Sequence, residues 1–102
     1  MNAVSQSLRT LAAYQREHAD YGYVVQHPQN LTQAEMSVRA AEVREIATRL
    51  DELAAEGETR AVTYDEFDAL RSRFLPLGKL PPGELVSAVA HAITAAEVAR
   101  AG

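Results

Sequence analysis

Residues 33–56, QAEMSVRAAEVREIATRLDELAAE, constrain the fold more than any other stretch of this 102-residue chain. Met36, Ala40, Val43, Ala47, Leu50 and Ala54 follow one another at alternating spacings of four and three, and Ile46 and Leu53 widen the same side. That period describes one long amphipathic helix with a face broad enough for a globular core. Glu35 with Arg39, and Glu45 with Arg49, are acid-before-base pairs four apart, each worth roughly 0.2–0.5 kcal/mol. Thr32 with Glu35 predicts a capping box, and Leu31 with Met36 a hydrophobic staple. Gly57 reads as a left-handed terminator. At 1.5 Å per residue such a helix is about 36 Å long, so the remaining elements should pack along it.

Around this scaffold the pattern predicts an all-α fold. It is a small four-helix domain with helices at about 5–20, 33–56, 64–75 and 83–99, and residues 1–102 form one helical domain. In the first helix Leu8, Leu11, Ala12, Gln15 and His18 trace the stripe, with Ser5 or Ser7 as cap. Gly22 is expected to stop it, leaving 21–31, YGYVVQHPQNL, as an irregular aromatic connection that Pro28 keeps extended at His27. Thr63 with Glu66 makes a second capping box, flanked by Val62 and Phe67. Phe67, Leu70 and Phe74 form the third stripe, Pro76 ends that helix, and Leu75, Leu77 and Leu80 are expected to anchor the loop after it.

The last helix differs from the others. Leu85, Val86, Val89, Ile93 and Ala96 make a stripe, but the opposite side carries Ser87, Ala88, Ala90, His91, Thr94 and Ala95. No acidic, lysine or arginine side chain occurs between Glu84 and Glu97. A helix weakly polar all round is usually enclosed. A chain this short has little material to cover it, so Leu85, Ala88, Val89, His91, Ala92 and Ala95 are expected to form a surface for a protein partner or for self-association.

Composition removes several alternatives. With no cysteine there is neither a disulfide nor a thiolate nucleophile nor a zinc–thiolate site. A net charge of −4 argues against a nucleic-acid or anionic-membrane surface. The first ten residues have no apolar run behind a basic start and no segment is apolar enough to span a bilayer, so no secretory signal or membrane span is expected and the expected location is cytoplasmic. His18, His27 and His91 match no metal-ligand spacing, and Glu42, Glu45, Asp51 and Glu52 lie off the apolar stripe without the Glu-x-x-His segments of a di-iron bundle. No metal or cofactor is expected. Ser87 and His91 stand four apart without an activating carboxylate in view, and no serine sits in a nucleophile elbow.

One local cluster remains. Tyr14, His18, Tyr21, Tyr23 and His27 are amphipathic side chains close in sequence, which gives a candidate ligand or recognition patch. Three functional readings follow. The leading one is a non-enzymatic helical interaction module, such as a small subunit, adaptor or assembly factor. The second is a small-molecule-binding or enzymatic helical domain built on the Tyr/His cluster. The third is a nucleic-acid adaptor, against which the acidic start of the Thr63–Phe74 segment counts.

Overall fold

The computed structural model describes residues 2–26, 32–77 and 80–101; for 20–26 only the backbone is described. The protein is a small all-α domain. Its elements are α1 (Ala3–Gln26), α2 (Gln33–Glu56), α3 (Tyr64–Ser72), a short 3-10 turn (Leu75–Leu77) and α4 (Gly83–Ala101). Among the described residues there is no strand.

α1 and α2 form a long antiparallel hairpin. The end away from their connection is stitched where the start of α1 meets the end of α2. Asn2 Nδ2 donates to Gly57 O at 2.8 Å, and Ser5 Oγ donates to Ala54 O at 2.7 Å. Ala12, Ala40, Ala47 and Ala54 are buried along the hairpin, and side chains this small let the two backbones approach closely. α3 then descends along α2. Arg60 bridges Glu56 and Glu66 at 2.9 and 2.6 Å, Arg73 faces Glu45 at 3.6 Å, and Arg39 Nη1 donates to Leu77 O at 3.2 Å. α4 climbs back against α1, returning to the end where Asn2 and Gly57 meet. The molecule measures 52 × 20 × 17 Å, an elongated outline set by the hairpin.

Most of the central helix follows its sequence pattern. Ala40, Val43, Ile46, Ala47, Leu50, Leu53 and Ala54 are buried, and Met36 is half-buried. Both capping boxes are formed, with Thr32 Oγ1 accepting from Glu35 N and Thr63 Oγ1 from Glu66 N. The pairs expected on the outer face are exchanged for others. Glu45 meets Arg73 and Arg39 turns to the Leu77 carbonyl, because tertiary partners lie within reach, while Arg49 pairs with Glu52 three residues on along the same helix.

Several expectations are corrected. α1 does not end at Gly22 but runs to Gln26, so 21–26 is helix rather than loop. A glycine inside a helix costs only about 1 kcal/mol, whereas a proline disfavours helical backbone in the residue before it. The rest of the expected connection, 27–31, lies outside the described residues, as does Leu31 of the staple. α1 starts earlier as well. Asn2 Oδ1 accepts from Ser5 N at 2.8 Å and acts as the cap, which frees the Ser5 hydroxyl for Ala54.

Gly57 is not left-handed. Its φ of −64° and ψ of −13° are helical. Glycine is needed there for space, since an added Cβ would sit 3.0 Å from Val62 Cγ2 and 3.1 Å from Ser5 Oγ. α3 ends at Ser72 instead of 75. Ahead of Pro76 the chain tightens, with Phe74 N bonding Arg71 O and Leu77 N bonding Phe74 O. Of the three leucines expected to pin the following loop, only Leu77 is buried; Leu75 and Leu80 are exposed.

Candidate interaction surface

α4 begins at Gly83, just past Pro81 and Pro82, where a missing backbone donor would be unpaired anyway. Leu85 N and Val86 N bond to Pro82 O and start the helix. Only Val89, Ala92 and Ile93 of its 19 residues are buried, with Leu85, Val86 and Ala96 half-covered against the core. Full burial of an aliphatic side chain contributes about 1.5–3 kcal/mol, so Val89 and Ile93 carry most of the docking.

The other side of α4 is open. Ser87, Ala88, His91, Thr94, Ala95 and Val98 are all exposed, and none of them is a carboxylate, lysine or arginine. The outer sides of the other helices carry ion pairs instead, such as Arg16 with Asp51 at 2.9 Å and Arg49 with Glu52 at 3.6 Å. Depletion of charge is the compositional mark of an interface core.

Next to this face lies a groove of about 740 Å³. One wall is α4, from Ala88, His91, Ala92, Ala95 and Ala96. The other is the start of α1, with Val4 and Ser7, and the turn Gly57–Val62 closes the end. The lining is mostly small and apolar because alanines face one another across it. Polar groups sit at the rim. Arg60 is committed there to Glu66 and Glu56, which raise its pKa. In return, Glu66 is held down to about 2, first by Arg60 and then by the Thr63 backbone amide it accepts from. Glu58 on the same rim pairs with Arg9 at 3.2 Å.

Of the six expected interface positions, Ala88, His91, Ala92 and Ala95 line this groove. Val89 is fully buried in the core and Leu85 is half-buried against it, so these two hold α4 in place. The opposite wall, Val4, Ser7 and the 57–62 turn, was not legible in the sequence. No spacing rule connects residues some fifty positions apart before the hairpin closes.

The aromatic cluster is resolved in part. Tyr14 and His18 stack on α1 with ring centroids 4.3 Å apart, and His18 Nδ1 lies 3.0 Å from Tyr14 O. This is a local pair four residues apart on one helix, and neither residue lines the groove beside α4. The backbone at Tyr21 and Tyr23 is helical, and position 23 lies about half a turn around the axis from Tyr14. His27 lies outside the described residues.

Among the described residues no group of three or more His, Cys, Asp or Glu side chains is arranged to hold a metal ion, and no helix is long and apolar enough to cross a membrane. The fold and this surface define a small all-α domain; no family model, no curated protein and no solved structure matches the chain.

Proposed function

We propose that this protein is a non-enzymatic helical interaction module, a small subunit, adaptor or assembly factor whose contact surface is the outer face of α4 with the adjoining groove. The observation that supports this reading is the charge-free exposed face, Ser87, Ala88, His91, Thr94, Ala95 and Val98, on a chain whose other helices carry charge outward. A partner helix seated there would meet alanines, which permit close backbone approach, beside an apolar groove.

The test is to compare the wild-type chain with Ala88→Lys and Ala95→Lys, by light scattering across a concentration range and by affinity isolation from the native source. Both positions are exposed, so a lysine fits without disturbing the fold. The wild type should self-associate or retain a stoichiometric protein, and both variants should lose that association. A wild type that is monomeric and retains nothing, or variants that associate as well as it does, would sink the reading.

A further inference from the structure

Polar contacts between elements are distributed unevenly. Asn2 with Gly57, Ser5 with Ala54, Arg9 with Glu58 and Arg16 with Asp51 tie α1 to α2 and its end. Arg60 with Glu56 and Glu66, Arg73 with Glu45 and Arg39 with Leu77 tie α2 to α3 and the 3-10 turn. Among the described residues, no side-chain hydrogen bond or ion pair joins α4 to any other element. Glu84, His91, Glu97 and Arg100 all lack such a partner. Three buried apolar residues and three half-buried ones hold α4 down.

The core also contains a polar group that works against closure. Gln15 is fully buried, and neither its Nε2 nor its Oε1 finds a hydrogen-bond partner among the described residues. It stands four, seven and eleven residues after Leu11, Leu8 and Val4, so the helical repeat puts all four on one row of α1. Val4 lines the groove whose other wall is α4. A buried amide without partners forfeits its bonds to water, and opening the structure along its row restores them.

We infer that α4 undocks from α1 as a unit while the α1–α2–α3 body stays closed, and that rehydration of the Gln15 amide favours this opening. The body keeps its own polar ties, those of α1 to α2 and of α2 to α3. Undocking releases Val89 and Ile93 on α4 and uncovers Val4, at the head of the row that Leu8, Leu11 and Gln15 continue. The molecule thus carries a hinged helix whose apolar bed and apolar face become available together. This inference concerns the chain alone, and its test needs no partner.

Hydrogen–deuterium exchange of the full chain, resolved by residue and measured where reclosing outpaces exchange, reads the opening directly. Amides at 89–93 should be protected about tenfold or more below those at 43–50, with a common value along α4. Equal protection in the two helices would overturn the proposal. In Gln15→Met, a near-isosteric apolar replacement, protection at 89–93 and at 43–50 should rise by the same factor, about tenfold, because both openings hydrate the same amide. A rise confined to 43–50, or none at all, would overturn the role given to Gln15. Gln15→Leu repeats the measurement with a second shape, so that poor packing of one side chain cannot decide the result.

Discussion

α2 and α4 are both rich in alanine, yet the molecule uses them in opposite ways. The more apolar sequence belongs to α4, but α4 buries three of 19 residues where α2 buries seven of 24. α2 has a capping box, a charged outer face and polar ties to both neighbours. α4 has an uncharged outer face and, among the described residues, no polar tie at all. Hydrophobic content in a helix therefore does not measure how firmly it is held. An apolar surplus left facing solvent is information about contact, whereas α2's sharper alternation is information about stability.

The strongest way to break this comparison is to damage each region once. Phe67→Ala removes a fully buried ring at the start of α3 and should cost about 3–5 kcal/mol, lowering the urea midpoint for the whole molecule. Ile93→Ala removes a comparably buried side chain from α4, at about 2–5 kcal/mol locally. Its loss should fall on α4 first and appear as a broadened transition with a reduced denaturant slope. If Ile93→Ala instead shifts one sharp transition as Phe67→Ala does, the two regions are one cooperative unit and the contrast fails.

Gly57→Ala probes the stitched end more gently. Alanine in helical backbone normally gains about 0.4–1 kcal/mol by restricting the unfolded chain. Here the new methyl meets Val62 and Ser5 at 3.0 and 3.1 Å, Val62 is buried, and Ser5 is pinned by its bond to Ala54. Overpacking of this kind costs about 1–3 kcal/mol, so the net expectation is a loss near 1 kcal/mol, read as a lower urea midpoint at unchanged slope. A gain would show that the stitched end has slack.

The same contrast explains what was legible in the sequence. Periodicity and capping are local, and they located α2, both capping boxes and the start of α4 within a residue or so. The end of α1 was misplaced because Gly22 is a weak breaker. Gly57 looked like a turn residue because its need for space comes from Val62 and Ser5, which only tertiary packing brings near. Leu75 and Leu80 read as anchors by type, but which leucine of that loop reaches the core depends on the 3-10 turn at Pro76. On α4 the sequence identified both the core stripe and the unusual face, but it assigned Leu85 and Val89 to the partner surface although they pack on the core. Val89 serves the core and Ala88 the surface, a distinction of one residue's rotation.

The cap of α3 gives a pH-dependent measure of the stitched region. The Glu66 carboxyl is lowered from 4.5 to about 2, with Arg60 the first cause and the Thr63 amide the second. A lowered folded-state value means the unfolded chain binds the proton more readily. The stabilisation is therefore complete above the unfolded value near 4.5 and is lost as pH falls through that value toward 2. Glu66→Gln should cost about 1 kcal/mol at neutral pH, the size of a lost cap in a solvent-screened site. The difference in melting temperature between the wild type and Glu66→Gln should shrink steadily below pH 4.5. A difference that stays constant to pH 2.5 would mean that the charge of Glu66 is not what stabilises the cap.

The smallest expected effect is also the one that separates contact from stability. Ala88→Lys and Ala95→Lys place a cation on the exposed face of α4. At 88 the lysine follows Glu84 by four residues, a favourable acid-before-base order, and at 95 it sits toward the negative end of the helix dipole. Neither removes a buried group, so each should change the stability of the isolated chain by less than about 0.5 kcal/mol. A lysine in the middle of an apolar contact, by contrast, must be desolvated without a partner. Unchanged melting together with lost association would identify this face as a surface kept uncharged for another molecule. A loss of stability above about 1 kcal/mol in the isolated chain would instead show that the face is covered from within, and the contrast between α2 and α4 would then be one of degree.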